Sequence, residues 1–127
     1  MSEIRATTIS DAAGTGPITL TKQSAAKVWV NFNGTGTIAA RDSFNVASLT
    51  DNGTGTYTAS FSNAMSSGNF AAYFNACPTN ERPRSNCCSD FATGSVALTT
   101  GFPSDTIGGI INNDESNCQM ATHGDLA

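Results

Sequence analysis

The sequence predicts an all-β protein, an antiparallel β-sandwich of jelly-roll-like type with an extended N-terminal arm. Apolar and polar residues alternate over short segments, as they do in strands that have one buried face. Clusters of turn-forming residues separate these segments at short intervals. Thr, Ser, Asn and Gly make up 55 of the 127 residues and only 13% of residues are charged, a composition that favours strands and turns over long helices.

Residues 1–25 are predicted to form an extended attachment arm, followed by a β-sandwich domain over residues 26–127. The stretch Gly14–Pro17 is rich in turn formers and argues against a helix. The arm nevertheless contains large apolar residues that would anchor it to another subunit: Ile4, Ile9, Ile18 and Leu20. An unanchored terminus is the alternative, although such tails rarely contain this many apolar residues.

The sandwich begins with a predicted hairpin. Val28, Val30 and Phe32 alternate onto one face of the first strand. Asn33-Gly34 follows directly and is typical of a two-residue hairpin turn, because both residues tolerate a positive φ. The strands predicted here are 28–32 and 37–47.

The later strands follow the same period of two. The alternation places Tyr57 and Phe61 on one face of their strand, and Phe70 and Phe74 on one face of the next. Turn clusters such as Asp51–Gly55 separate them. The strands predicted here are 56–62, 69–75, 92–99 and 117–126.

Two strands have large apolar residues on both faces. Trp29 lies between Val28 and Val30, and Tyr73 lies beside Phe74. A strand that is apolar on both faces is typically buried on both. Because a small sandwich has one core, the second face is predicted to pack against another copy of the chain, so an oligomer is expected.

Charge and hydropathy exclude two classes of partner. The net charge is −4 with six basic residues, whereas a nucleic-acid interface needs clustered Lys and Arg. No apolar stretch approaches the roughly 20 residues of a membrane span, so no membrane insertion is expected. The N-terminus lacks the pattern of a secretory signal, which favours synthesis and assembly in a cytoplasm.

The four cysteines leave three interpretations open. Cys77 and either Cys87 or Cys88 would close a loop of about 10 residues as a disulfide, adding on the order of 3 kcal/mol. Free thiols are the second interpretation, with Cys118 among them. Zinc binding, by the four cysteines or by three with His123, is the least favoured, because the spacing is not that of a zinc motif.

No constellation in the sequence predicts catalysis, a metal or a cofactor, so the chain is not expected to be an enzyme. Asp51–Gly55 begins like a calcium loop but lacks its later acids, which favours a hairpin turn. Asp114 and Glu115 are sequence neighbours, and paired catalytic carboxylates must converge across about 5–9 Å. His123 has no nucleophile motif near it and is predicted to be structural or interfacial.

The segment Pro78–Asn86 is the most charged and proline-rich loop of the chain. Such loops are candidates for an exposed tip that contacts a partner. The candidate binding residues are Asn80, Arg82, Arg84 and Asn86. A solvated connection between strands is the alternative.

The stretch from Lys27 to Thr58 reads KVWVNFNGTGTIAARDSFNVASLTDNGTGTYT. It resembles a repeated element of bacteriophage tail-fibre and related virion-fibre proteins, and the similarity extends over about Ala26 to Phe61. The segment Met120–Asp125 resembles the closing strand of the same module. Asn75 to Asn117 resembles nothing comparable, so individual specificity is expected there.

The resemblance implies a structural virion protein, a short homotrimeric tail fibre or tail-associated protein that contacts the host surface. It implies that the N-terminal arm binds other virion proteins and that outer loops contact a host glycan or protein. A capsid decoration or head-fibre protein is the alternative. A polysaccharide-degrading enzyme is a third, less favoured interpretation.

Overall fold

The alternating segments form nine strands in the residues that the computed structural model describes, 25–77, 84–104 and 108–127. The predicted arm anchors Ile4, Ile9, Ile18 and Leu20 lie outside these ranges, as do Asn80 and Arg82. The strands are β1 (Val28–Asn33), β2 (Ala39–Phe44), β3 (Val46–Gly53), β4 (Thr56–Phe61), β5 (Ala71–Cys77), β6 (Ser85–Ala92), β7 (Ser95–Pro103), β8 (Ile110–Asn112) and β9 (Asn117–His123).

The strands pair antiparallel in two sheets, as a β-sandwich requires. Sheet A has the order β2-β1-β9-β5, and sheet B has the order β3-β4-β7-β6, with β8 paired to the end of β7. Neighbouring strands in sequence form hairpins within one sheet at β1–β2, β3–β4 and β6–β7. Two strands pair over long distances in sequence: β7 lies beside β4 in sheet B, and β9 lies between β1 and β5 in sheet A.

The two sheets meet at both of their edges. On one side Asn45, with φ of 58°, turns the chain from β2 in sheet A into β3 in sheet B. On the other side the edge strands β5 and β6 lie close together, and the Asn86 amide donates to Asn75 Oδ1 at 3.4 Å. The sandwich is therefore joined by a covalent corner at one edge and by side chains at the other.

The core lies between the sheets and consists of the inward residues of the alternating strands. Sheet A contributes Val28, Val30 and Phe32, which are all buried. The Phe32 ring meets the Tyr57 ring of sheet B edge-on, with centroids 5.2 Å apart. The remaining buried apolar residues are Ala59, Phe61, Met65, Phe70, Ala76, Val96, Leu98, Cys118 and Met120.

Each predicted strand overlaps a strand of the structure, but their bounds and number differ. The segment 37–47 is divided at Asn45, and the segment 92–99 covers the end of β6, the following turn and the first half of β7. Most of β3 and β6, and all of β8, were not predicted. The described residues contain no helix that is long and apolar enough to cross a bilayer.

The two-residue turn predicted at Asn33-Gly34 is wrong. Asn33 pairs with Ala39, so a five-residue loop separates the two strands. The positive φ of this loop is at Gly36, with a value of 62°. Asn33 Oδ1 instead accepts hydrogen bonds from the amide and the hydroxyl of Thr35, at 3.3 and 2.8 Å, which begins the longer loop.

Candidate functional site

The outer face of sheet A presents a row of large apolar side chains to solvent. The strand registers place Trp29 opposite Phe44 on one side and Ala121 on the other, and Ala121 opposite Tyr73. Phe44 is 53% and Tyr73 67% exposed. One residue from each of the four strands therefore contributes to a continuous row, which we call the aromatic row.

A second row lies beside the aromatic row, two residues further along each strand. Here Asn31 is opposite Asp42 and Gln119, and Gln119 is opposite Asn75. Because side chains alternate between the faces of a sheet, the two rows share the outer face. Three amides and one carboxylate thus line one side of the aromatic row, and we call them the amide row.

Weak contacts orient the amide row without using all of its hydrogen-bonding capacity. Arg41 donates to Asn31 Oδ1 at 3.1 Å, which leaves the Asn31 amide nitrogen available. The amide nitrogens of Asn75 and Gln119 point to Cys77 Sγ at 3.4 Å and Asn117 Oδ1 at 3.5 Å. Contacts of this length are replaced at little cost by a better partner.

His123 lies on the same outer face, at the end of β9. Its ring is edge-on to the Tyr73 ring, with centroids 6.1 Å apart. Its structural or interfacial role stays a prediction. The predicted second apolar face is therefore a real surface, because it brings Trp29 and Tyr73 together with Phe44, which sequence reasoning did not select.

The outer face of sheet B is different in character. A row across it joins Thr50, Thr58, Ala97 and Ser89, all of them small side chains. Rings that could stack on a ligand are absent from this row. Sheet B exposes Phe91 on β6 and two isoleucines on β8, but the two most exposed aromatic side chains, Phe44 and Tyr73, belong to sheet A and lie in one row. The outer face of sheet A is therefore the stronger candidate for an interaction surface.

A buried ion pair lies at one end of the sandwich and corrects the prediction made for Arg84. Arg84 Nη2 contacts Glu115 Oε1, and the two side chains are only 5% and 4% exposed. The guanidinium also lies over the Phe102 ring, 5.6 Å from its centroid. Arg84 therefore does not belong to an exposed loop tip, because its charge is compensated inside the fold.

Asn86 is likewise not an exposed contact residue. It is the second residue of β6 and is half-buried, with its Oδ1 shielded from solvent. Its amide is used at the edge between the sheets, on Asn75. Of the four candidate loop residues, the two that the structure describes thus have structural positions.

The loop 113–116 closes the same end through backbone and side-chain hydrogen bonds. The Tyr57 hydroxyl lies 3.1 Å from Asp114 Oδ1 and 3.2 Å from the Gly34 carbonyl. The Gly55 amide donates to the same carboxylate oxygen at 2.6 Å. Burial is the main reason that the pKa of the Tyr57 hydroxyl is raised above its usual value, with Asp114 adding to the effect.

Asp114 and Glu115 are therefore used in tying loops together. Asp114 holds Tyr57 and Gly55, and Glu115 accepts from the Asn113 amide at 2.7 Å in addition to its ion pair. Asp51 Oδ1 accepts from the Gly53 amide at 2.9 Å, which is the turn geometry predicted for this segment. No group of three metal-binding side chains converges anywhere in residues 25–77, 84–104 and 108–127.

All four cysteines lie in the described residues as free thiols. Cys77 and Cys87 are exposed, and Cys118 is buried between the sheets with its thiol directed to the Glu115 carbonyl at 3.3 Å. Burial, and then the neighbouring Glu115, raise the pKa of the Cys118 thiol from about 9 to about 12. The pairing of Cys77 with Cys87 or Cys88 under oxidising conditions stays a prediction.

Comparison with known proteins gives no further identification. No protein-family model matches the chain, and neither a curated protein nor a solved structure matches it. The conclusion from the fold and the site is an antiparallel β-sandwich with one aromatic, amide-lined outer face.

Proposed function

We propose that the chain is a structural protein of a bacteriophage particle, a short tail fibre or tail-associated subunit that contacts the host surface. The residues that resemble fibre modules, from about Ala26 to Phe61, form the two hairpins β1–β2 and β3–β4. These hairpins supply one edge of each sheet and the corner between them. The similarity thus covers a complete structural unit of the sandwich.

The single observation that carries the proposal is the exposed outer face of sheet A. Three large aromatic side chains in one row across a four-stranded sheet, with only Ala121 between them, are unusual on a surface that has no partner. A protein whose role is attachment requires such a face, whereas an enzyme requires converging acids, bases or nucleophiles. In the described ranges the half-buried Asp114 and the buried Glu115 are engaged in structural contacts.

A homotrimer is part of the proposal and comes from the resemblance. Three copies on one rigid assembly would multiply weak individual contacts with a host surface, because each further contact after the first is intramolecular. Size-exclusion chromatography with light scattering tests this directly. The expected mass is about three times the 13.1 kDa of one chain, and a monomer at micromolar concentration contradicts the trimer.

The experiment that tests the proposed role is a cryo-EM reconstruction of the intact particle that carries this chain. Density in threefold knobs at the tail or baseplate is the expected result. Density distributed over the capsid surface would overturn the tail assignment and favour a decoration or head-fibre protein. Release of reducing sugar from host polysaccharide by the purified protein would overturn the non-enzymatic role.

A further inference from the structure

We propose that the outer face of sheet A is a binding site for an uncharged carbohydrate chain, held across β9 between Trp29 and Tyr73. This inference rests on the proposed contact with a host surface and names the ligand class for it. The main observation behind the proposal is that a small residue, Ala121, lies between two aromatic residues. Ala121 lies in register between Trp29 on β1 and Tyr73 on β5.

The spacing of the strands makes this arrangement a shallow cleft. Neighbouring strands lie about 4.8 Å apart, so the strands of Trp29 and Tyr73 are separated by about 9.6 Å with Ala121 as the floor. The apolar C–H face of a pyranose ring stacks on aromatic rings, which prefer flat apolar partners. The exposed Tyr73 ring gives one such surface and the half-buried Trp29 ring gives the other.

The amide row supplies the polar half of the site. Amide side chains present both donors and acceptors, as vicinal sugar hydroxyls require. Gln119 is central, because it lies between Asn31 and Asn75 and two residues from the Ala121 floor. Stacking along one row and hydrogen bonding along the next is the combination that a polyhydroxylated ring needs.

The charges near the face favour an uncharged ligand. Asp42 is the one charged member of the amide row, and its Oδ1 accepts from the Ser43 amide at 2.8 Å. Arg41 is committed to Asn31 and to the Ser116 carbonyl. Both acceptors are neutral, so the Arg41 guanidinium keeps its positive charge beside the Asp42 carboxylate, and the two charges offset each other. The row therefore offers no net charge to attract an ionic ligand.

A second copy of the chain fits this face less well. Four strands of about six residues give a face of only about 15 × 20 Å in plan, which is small for the roughly 800 Å² of accessible surface that a stable protein interface buries on each partner. One of the two rows is entirely polar, and the centre of an interface between copies is more apolar than that. An extended sugar chain, in contrast, needs a strip of this size.

Trp29 provides the readout, because it is the only tryptophan of the chain. The probes are three neutral tetrasaccharides that differ in linkage and substitution: cellotetraose, maltotetraose and tetra-N-acetylchitotetraose. We expect a saturable change in Trp29 fluorescence with at least one probe at millimolar concentration. Tyr73→Ala and Gln119→Ala should each weaken that binding about tenfold, equivalent to about 1.4 kcal/mol.

Phe91→Ala is the matched control, because Phe91 is a 40% exposed aromatic residue on sheet B, away from the face. It should bind like the unchanged protein. Urea unfolding of each variant establishes that it is folded at the temperature of the titration. Ala121→Leu is a second blocking variant, since it fills the floor of the cleft and keeps both rings.

Two results would overturn the carbohydrate site. One is an unchanged Trp29 emission with all three probes up to tens of millimolar. The other is conversion of an oligomer to a monomer by Tyr73→Ala, which would assign the face to a second copy. Either result leaves the particle location open to cryo-EM, so a chain found at the tail without sugar binding would keep the proposed function and remove only this inference.

Discussion

At the residue scale, the buried end of the sandwich shows where local sequence reasoning is misleading. Arg84 lies in a Pro-rich, charged segment, and such a segment predicts exposure. Its burial depends on Glu115, which is distant in sequence and reaches it only because the sheets close over each other. Trp29 and Tyr73 were predictable as a second apolar face because their strands alternate locally, whereas the partner of a buried charge has no local signal.

Glu115→Gln tests the importance of the ion pair. The amide keeps the shape and the acceptor for Asn113 but removes the negative charge beside a buried guanidinium. We expect the free energy of unfolding to fall by about 3 kcal/mol, because removal of one partner of a buried pair costs about 3–5 kcal/mol. Urea unfolding measures it, with the exposed Asp42→Asn as the control that should change by less than about 0.5 kcal/mol.

The raised pKa of the Cys118 thiol predicts that the protein loses stability at alkaline pH. Its folded pKa of about 12 lies above the value near 9 of an unfolded chain. Above about pH 9 the unfolded state therefore releases a proton that the folded state retains, and the free energy of unfolding falls by up to about 1.4 kcal/mol per pH unit. The stabilisation is fully present below pH 9.

The measurement is urea unfolding between about pH 8 and pH 10 with a phosphine reductant present. Cys118→Ala should be less stable at the lower pH because it leaves a small cavity, yet its stability should decline less steeply with pH. Equal slopes for the two proteins would contradict a raised pKa at Cys118. Tyr57 adds to the decline only above about pH 10, the usual pKa of its hydroxyl.

At the scale of the element, the two Asn-Gly-Thr-Gly segments look alike in sequence and form different loops. The segment that ends at Gly55 forms the turn between β3 and β4, as predicted. The segment that ends at Gly36 is part of a five-residue loop, because Asn33 stays paired in β1. Equal sequence thus gives unequal structure, because the loop 113–116 packs against different positions of the two segments. It contacts the first glycine, Gly34, of one segment and the second glycine, Gly55, of the other.

Alanine substitutions at Gly36 and Gly55 distinguish the energetic cost of a left-handed backbone from the cost of a steric clash. Gly36 and Gly55 have φ values of 62° and 65°. A Cβ at Gly36 meets nothing within 4 Å, whereas a Cβ at Gly55 meets the backbone of Thr100 and Asn113. Gly36→Ala should cost about 1 kcal/mol from the left-handed conformation alone.

Gly55→Ala should cost clearly more than Gly36→Ala, because the backbone of two further segments has to move. The Gly55 amide and carbonyl are also bonded to Asp114 and Thr100. Thermal or urea unfolding of the pair gives the comparison, with Gly94→Ala as a control that has open space and an ordinary φ. Equal losses of unfolding free energy in Gly36→Ala and Gly55→Ala would show that the backbone of Thr100 and Asn113 moves away from the new Cβ at no cost.

At the scale of the whole molecule, the fold class was predictable and the strand order was not. Period-two alternation identifies strands and their buried faces locally. The pairing of β9 with β1 and β5 joins segments that are far apart in sequence, and no local signal specifies such a pairing. For the same reason the amide row could not be recognised, since its four members come from four strands.

Asn45 is the residue that joins the two sheets, and its substitution should affect the whole sandwich. Its side chain donates to the carbonyls of Lys27 and Asn63, each at 3.1 Å, and accepts from the Asn63 amide at 2.7 Å. Asn45→Ala should lower the free energy of unfolding by about 3 kcal/mol, from the lost hydrogen bonds and the left-handed backbone. Urea unfolding measures the loss.

Asn45→Gly is the matched comparison for this corner. Glycine adopts the positive φ without strain, so this variant should lose about 1 kcal/mol less than the alanine variant. A glycine variant as unstable as the alanine variant would attribute the whole effect to the hydrogen bonds. Retention of full stability in both would contradict the role of Asn45 as the joint.

The central position of β9 has a consequence for how the protein is made. On a ribosome β1 emerges early and can pair with β2, but its second partner β9 emerges after the other described strands, so one side of β1 stays unpaired until nearly all of the sequence shown here has been synthesised. Pairing between such distant segments is intrinsically slow. The hairpins β1–β2 of sheet A and β3–β4 and β6–β7 of sheet B can form while synthesis continues, and sheet B is complete before β9 emerges. The order of translation therefore sets an order of assembly, in which sheet A is completed last.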